Sequence, residues 1–214
     1  MTNPSCVIID YGIGNVFSVV EAIKKLDASV LLTSDRAAIL AANRVILPGV
    51  GAFGRAADTL REMHLDETIH DFISTGRPLL GICVGMQVMM EQGLEFGTHK
   101  GLGLLKGTVE KVALDDKDGR PLRVPLIGWN AVHPTAASRW RGTPFSGLTP
   151  PSDFYFVHSY SVKAADPGDV AAIVHAGTGQ ITAAIQRDNI TGVQFHPERS
   201  ADAGRAFLSG FLAL

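Results

Sequence analysis

The sequence is poor in cysteine, has no long hydrophobic run and carries no excess of charge of either sign. Two cysteines occur in 214 residues, which excludes a scaffold held together by several disulfides. A formal net charge of -2 provides no electrostatic basis for binding nucleic acid or an anionic membrane. No apolar run reaches the ~20 residues of a membrane span, and the N-terminus lacks the basic start and apolar core of a signal peptide. We therefore expect a cytoplasmic protein that contacts neither nucleic acid nor membrane.

The composition is that of a globular protein, with 46% hydrophobic and 19% charged residues. A chain of this length suits one domain that buries roughly 70% of its unfolded surface without help from metals or disulfides. No internal repeat, low-complexity tract or linker interrupts it. The sequence therefore predicts a single domain over residues 1–214.

The hydrophobic pattern changes about half-way along the chain. The first half alternates β-branched runs with amphipathic segments, which is typical of a parallel sheet covered by helices. After Gly101, strand-like alternations are separated by loops rich in glycine and proline. The expected fold class is α/β, with a central, largely parallel sheet flanked by helices and additional antiparallel strands. Strands are predicted at 7–10, 29–32, 44–47, around Cys83, 108–114, 154–162, 170–175 and 182–186, and helices at 16–26, 36–42, 56–75 and 201–214.

Cys83 ends a short apolar strand and has a glycine two residues to either side. At a sharp strand-to-helix turn, Gly81 and Gly85 would remove side chains that clash and leave the sulfur at the edge of the sheet. The free N–H groups of the following helix favour a thiolate there. The pattern indicates a nucleophile elbow, and the alternative is a small buried apolar residue.

A candidate base and its orienting group occur together near the C-terminus, at His196 and Glu198. Alternation with Val193 and Phe195 puts His196 at the end of a strand. Glu198 is close enough to bind one ring nitrogen while the other faces the thiol. The alternative is a surface histidine beside a solvated glutamate. A metal site is not expected, because no second cysteine or histidine stands near any of the three residues.

Acyl chemistry also requires donors for an oxyanion, and the glycine-rich segment 48–53 follows a predicted strand. Its backbone N–H groups are one candidate, and the amide of Val84, just past the thiol, is another. The alternatives for this segment are an ordinary turn or a phosphate-binding loop. The second is disfavoured because no Lys-Ser/Thr pair follows.

Three further features have more than one interpretation. The segment 10–15 has two of the three glycines of a dinucleotide fingerprint, and packing against the elbow or a partner contact explains it equally well. His158 is a rival base, but it has no acidic neighbour in sequence. Trp129 is either a packing residue or part of an interface.

Taken together, these motifs resemble those of the class I glutamine amidotransferases, and among them the glutaminase subunits of imidazole glycerol phosphate synthases. The match covers most of the chain. It is carried by Asp10-Tyr11-Gly12-Ile13-Gly14-Asn15, Pro48-Gly49-Val50-Gly51-Ala52-Phe53, Gly81-Ile82-Cys83-Val84-Gly85-Met86-Gln87, Gly128-Trp129-Asn130, Tyr155-Phe156-Val157-His158-Ser159-Tyr160 and Gly192-Val193-Gln194-Phe195-His196-Pro197-Glu198.

The resemblance implies a Cys-His-Glu triad that hydrolyses the side-chain amide of glutamine without metal or cofactor. Cys83 would be the nucleophile, His196 the base and acid, and Glu198 the group that orients it. The backbone amides of Val50, directly or after a peptide rearrangement, and of Val84 would form the oxyanion hole. The resemblance further implies glutamine contacts from Gly49, Gln87, Glu95, Ser159 and Tyr160, and partner contacts from Asn15, Trp129 and Arg199.

The partner that the resemblance implies is a (β/α)8-barrel cyclase, which would receive the ammonia directly. Two positions depart from the family pattern. Leu126 stands where the family usually has a histidine, and Arg199 stands where a lysine is common, which keeps the charge but changes the geometry of the donor group. Three alternatives stay open at this point. They are a glutaminase for another synthase, a non-catalytic docking module of the same fold, and an independent γ-glutamyl peptidase.

Overall fold

The structure, a computed structural model, describes residues 6–136 and 139–214, and the first half of the chain alternates strands with helices. Residues 1–5, 137 and 138, which the predicted single domain includes, lie outside the described residues. The strands of the first half are β1 (Cys6–Ile9), β2 (Val30–Thr33), β3 (Val45–Gly49) and β4 (Leu79–Cys83). The helices are α1 (Val16–Lys24), α2 (Arg36–Ala41), α3 (Phe53–Glu62), α4 (Leu65–Ser74) and the single turn α5 (Val84–Gln87).

The second half of the chain is mainly β-structure. Its strands are β5 (Met90–Gly93), β6 (His99–Lys100), β7 (Leu105–Lys111), β8 (Leu126–Pro134), β9 (Ser152–His158), β10 (Tyr160–Ala164), β11 (Val170–Ala176), β12 (Gly179–Arg187) and β13 (Ile190–Val193). Two 3₁₀ turns (Pro167–Asp169 and Pro197–Arg199) and the helix α6 (Ala201–Leu212) complete the elements.

A nine-stranded sheet forms the centre of the molecule, in the order β2-β1-β3-β4-β13-β12-β11-β8-β9. The five strands from β2 to β13 are parallel, and the remaining pairs are antiparallel. Every residue of β1, β3, β4 and β13 is buried, as expected for parallel strands covered on both faces. The predicted α/β fold with added antiparallel strands is confirmed. A second sheet, in the order β10-β7-β5-β6, was not predicted.

Two predicted elements are wrong. The helix expected over 56–75 is two helices, α3 and α4, because His64 adopts the left-handed conformation with a φ of 54° and starts a new helix. The strand expected over 154–162 is also two elements, because β9 belongs to the large sheet and β10 to the small one. Ser159 lies between them, where the chain changes sheets.

A cluster of aromatic rings holds the C-terminal helix against the central sheet. Phe195 stacks on Phe154 of β9 with ring centroids 4.0 Å apart, and both rings contact Phe207 of α6. Phe195 is fully buried. Because Gln194 and His196 flank it, this anchor also fixes the segment that carries them.

No helix in the described part of the chain is long and apolar enough to cross a membrane.

The close approach of α5 to β3 generates a stability prediction. Replacing Gly85 by alanine is expected to lower the free energy of unfolding by about 3 kcal/mol, because the new methyl group would overlap the carbonyl oxygen of Leu47. The melting temperature should fall by roughly 6 to 12 °C. Gly147→Ala is the matched control, since a Cβ there meets no atom within 4 Å. Equal melting temperatures for the two variants would contradict this account of the packing.

Candidate active site

Cys83 forms a strained turn between β4 and α5. Its φ of 55° and ψ of -112° lie outside the regions that residues with a side chain normally adopt. A Cβ on Gly81 would come within 2.8 Å of the Gly85 carbonyl, so both flanking glycines are required by packing. The residue is only 4% exposed, yet it forms part of the wall of a pocket. The geometry matches the elbow expected from the sequence.

His196 and Glu198 lie just beyond β13, and their side chains are bonded to each other. The His196 N–H donates to the carbonyl of Tyr155, which fixes the backbone. Ring nitrogen Nδ1 lies 2.8 Å from Oε1 of Glu198, whose side chain is 1% exposed. Since a carboxylate accepts, Nδ1 carries the proton and donates it to Glu198. Nε2 is therefore the nitrogen available to the thiol.

The surroundings of His196 favour its charged form. Burial lowers the pKa of the ring, but the neighbouring sulfur of Cys83 and the hydrogen-bonded carboxylate of Glu198 outweigh it and raise the pKa to about 10. Nε2 is buried and has no hydrogen-bond partner of ordinary geometry, which leaves it free to face the sulfur. The imidazole of His196 therefore keeps its second proton well above the pH at which a free histidine loses it.

Two buried glutamines connect the thiol to β10. Gln87 Nε2 lies 3.1 Å from the Tyr160 carbonyl oxygen and 2.9 Å from Oε1 of Gln194. Gln194 in turn places its Nε2 3.6 Å from the sulfur of Cys83. Sequence reasoning did not single out Gln194. The alternating pattern puts Gln194 on the same side of the strand as His196. Its contact with Cys83 follows only from the register of β13 on β4.

A pocket of about 410 Å³ opens beside the sulfur and gathers most of the residues expected from the sequence. Gly49 is an exception, since it is buried at the end of β3 and does not belong to the wall. Trp129 and Glu198 also lie outside the wall, and Glu198 contacts it only through its bond to His196. The lining consists of Asn15, Val50, Gly51, Cys83, Val84, Gln87, Glu95, Pro125, Val157, His158, Ser159, Tyr160, His196 and Arg199.

Comparison with known proteins decides which family this site belongs to. Residues 7–213 match the family model described as glutamine amidotransferase class-I. The chain belongs to that family. It is 47% identical to an imidazole glycerol phosphate synthase subunit HisH from Salinibacter ruber, over 97% of this chain and 93% of the relative. It is 44% identical to the HisH subunit from Rhodopirellula baltica, over 95% of each chain.

A solved structure of a glutamine amidotransferase has the same fold, with a TM-score of 0.72 over 97% of this chain and 99% of that one. Its sequence identity of 18% supports the fold alone.

The polar groups in the pocket of this amidotransferase are partly occupied by protein contacts. Glu95 accepts the backbone N–H of Phe53 through Oε2, at 2.7 Å, which leaves its other oxygen available. Gln87 uses its amide nitrogen on Tyr160 and Gln194, so only its Oε1 can receive a donor from a ligand.

His158 is a poor base in this amidotransferase. Its Nδ1 lies 2.9 Å from the carbonyl oxygen of Tyr160, and that contact fixes the proton on Nδ1. Burial lowers its pKa, the contact with Tyr160 opposes this, and the nearby His196 lowers the pKa further. His158 is therefore a neutral neighbour of His196.

An exposed aromatic group adjoins the pocket. The guanidinium of Arg199, at the pocket wall, lies 4.5 Å from the ring centroid of Tyr155, and Trp129 meets the same ring edge-on at 6.1 Å. Trp129 is 54% exposed, and Ile127, two residues earlier on β8, is 63% exposed. Asn15 reaches the pocket from the loop before α1, whose Tyr11 hydroxyl donates to the carbonyl of Pro48.

Residues 6–136 and 139–214 contain no group of three or more His, Cys, Asp or Glu arranged to hold a metal ion.

The triad geometry generates a prediction about protonation. Glu198→Gln keeps an acceptor for Nδ1 but removes a negative charge, so the titration midpoint of His196 should move down from about 10 toward the ordinary 6.5. In the unmodified protein the ring should remain an imidazolium as the pH rises well past 6.5. NMR titration of labelled histidine rings measures both midpoints. Glu95→Gln, in the same pocket, should leave the midpoint of His196 in place, and a midpoint below 7 in the unmodified protein would contradict the assignment.

Proposed function

We propose that this chain is the glutaminase subunit of an imidazole glycerol phosphate synthase and releases ammonia from L-glutamine at Cys83. The observation that carries the proposal is that Cys83 and His196 line one pocket, while Glu198, outside its wall, is bonded to Nδ1 of His196. Membership of the class-I glutamine amidotransferase family and the names of the relatives support the choice of substrate and enzyme.

In the first half of the proposed reaction, the thiolate of Cys83 attacks the side-chain amide carbon of glutamine. A C–S bond forms and the carbonyl electrons move onto oxygen. The imidazolium of His196 then gives its Nε2 proton to the amide nitrogen as the C–N bond breaks. Ammonia leaves, and a γ-glutamyl thioester and a neutral imidazole remain.

In the second half, a water molecule attacks the thioester carbon while His196 takes its proton at Nε2. The C–S bond breaks and the electron pair returns to sulfur. Glutamate leaves, and the thiolate and imidazolium are restored. Glu198 holds the Nδ1 proton throughout, so Nε2 stays directed at the reacting atoms.

The oxyanion formed in each half requires donors at the edge of the sheet. Val84 is the first residue of α5, where the helical pattern provides no acceptor for its N–H. Val50 follows β3, and β3 pairs with β4 so that Gly49 lies opposite Cys83. We assign these two backbone amides to the oxyanion.

The pocket provides the groups that a free amino acid requires. The free oxygen of Glu95 suits the α-ammonium group of glutamine, and Oε1 of Gln87 suits a further N–H donor. Ser159 and Tyr160 lie in the wall of the pocket and are assigned to the substrate as well. Gly49 is buried at the end of β3, so its assigned contribution is made by its backbone, next to Val50.

Labelling tests the nucleophile. A glutamine analogue with an electrophilic side chain is expected to add once to the protein, at Cys83. The other cysteine, Cys6, is fully buried, and burial raises the pKa of its thiol to about 12 despite an opposing charge from Arg44. Cys83→Ala should lose both the label, read by mass spectrometry, and ammonia release. Cys6→Ala should keep both, and full ammonia release by Cys83→Ala would refute the assignment.

The proposed partner is the (β/α)8-barrel cyclase that consumes the ammonia. Ammonia released into water would be protonated and diluted, so the pocket must open onto a protein that covers it. The exposed Ile127 and Trp129 continue from the pocket wall through Tyr155 and Arg199, and apolar and arginine side chains of this kind dominate interfaces. Asn15 lies in the wall of the same opening.

Trp129→Ala tests this surface. It is expected to weaken binding to the cyclase about 30-fold, because a large ring at an interface typically contributes ~2 kcal/mol or more. Titration calorimetry with purified cyclase measures the change. Met63→Ala is the control, since Met63 is an exposed apolar residue at the junction of α3 and α4. Equal affinities for the two variants would exclude Trp129 from the interface, and failure of the chain to restore growth of a histidine auxotroph that lacks its own glutaminase subunit would contradict the choice of synthase.

A further inference from the structure

Gln194 is a fully buried amide next to the proposed nucleophile. Val193 of β13 pairs with Ile82 of β4 in parallel register, so the following residues, Gln194 and Cys83, lie side by side. The Gln194 side chain has no contact with solvent. A buried amide is costly unless both of its ends are hydrogen-bonded, so its partners are a strong structural constraint.

A backbone carbonyl fixes the direction of the whole amide chain. The oxygen of Tyr160 can only accept, so the end of Gln87 that faces it must be the NH₂ group. The same NH₂ group faces Gln194, which must therefore present its oxygen. The amide nitrogen of Gln194 is then the end that lies 3.6 Å from the sulfur of Cys83. Neither amide can be reversed without placing two donors or two acceptors against each other.

We propose that Gln194 is a fourth catalytic residue, whose amide N–H donates to the sulfur of Cys83 and stabilises the thiolate, and that Gln87 is a positioning residue that holds this amide in place. The proposal rests on the proposed function of Cys83 as the nucleophile. Gln87 then has two roles: its amide oxygen faces the substrate pocket, and its amide nitrogen holds the amide of Gln194.

The chemistry of the contact favours the ionised sulfur. A donor N–H binds a thiolate more strongly than a thiol, because the hydrogen bond becomes charge-assisted. An amide does not titrate, so Gln194 cannot compete with His196 for the proton of the thiol. The sulfur thus receives a fixed donor from Gln194 and exchanges its proton with His196. Tyr11 is a further titratable group that interacts with the sulfur, and burial together with the charge of Cys83 keeps it protonated by raising its pKa.

A purely structural role for the two glutamines predicts a different result. Removing a buried amide lowers stability in both cases, so a melting temperature cannot separate them. Only a donor to the sulfur changes how readily Cys83 ionises. Alkylation by iodoacetamide reports this directly, because the thiolate forms the new C–S bond as iodide leaves, and the reaction requires neither glutamine nor the cyclase.

The test compares alkylation rates of Cys83 across pH in the full chain. Gln194→Met keeps the length of the side chain and removes the donor, so the rate at pH 7 should fall about 10-fold and the midpoint of the profile should rise by about one pH unit. The plateau rate at high pH should not fall, since access to the sulfur is preserved. Thr191→Val is the matched control, because Thr191 is a buried polar residue on the same strand, β13.

Gln87 provides the second arm of the experiment. Gln87→Met should shift the profile in the same direction by less, and the double variant should match Gln194→Met alone, because Gln87 acts through Gln194. If Gln194→Met does not fold, Gln87→Met decides the outcome by itself. A profile equal to that of the unmodified protein in either folded variant would overturn the proposal. If the variants show the expected shifts of the alkylation profile but the unmodified chain releases no ammonia from glutamine, the result would contradict the proposed glutaminase function and not the role of Gln194.

Discussion

The contact between Gly85 and the carbonyl of Leu47 is the one on which the rest of the site depends. It brings α5 directly against the end of β3, so the turn from β4 into α5 must be made within a single residue. That residue is Cys83, and the left-handed φ is the cost of the turn. A larger side chain at position 85 would move the helix outward, and the sulfur would lose its place at the edge of the sheet.

The parallel register then assembles the other groups without further special geometry. The strands β3, β4 and β13 are neighbours, and the carboxyl ends of parallel strands meet at one edge, where open α/β sheets place their ligands. Val50, Val84 and Gln194 each follow directly after one of these strands. The antiparallel extension beyond β13 ends at β8 and β9, which carry Trp129 and Tyr155; Tyr155 contacts Arg199 in the pocket wall, and Trp129 packs against Tyr155.

The parts of the fold and site that the sequence predicted are those with local causes. The glycine spacing around Cys83 reflects packing within one turn, and the alternation before His196 reflects one strand. The contact of Gln194 with Cys83 joins residues 111 positions apart and depends on register, which no local pattern encodes. The break at His64 has no glycine or proline to mark it, because a histidine takes the left-handed conformation there. The change of sheet at Ser159 is hidden for a similar reason: two consecutive strands share one continuous alternating pattern.

In the proposed reaction, the imidazolium of His196 becomes a stronger acid when the sulfur of Cys83 bonds to the substrate. In the resting pair, burial lowers the pKa of the ring, while the neighbouring sulfur of Cys83 and the hydrogen-bonded carboxylate of Glu198 raise it to about 10, so the proton is held tightly. When the sulfur bonds to the substrate carbon, its negative charge passes to the carbonyl oxygen and its influence on the ring is lost. Burial then opposes Glu198 alone, and the imidazolium becomes a stronger acid as the leaving nitrogen requires a proton. Breaking the thioester restores the thiolate and with it the affinity of His196 for the proton taken from water.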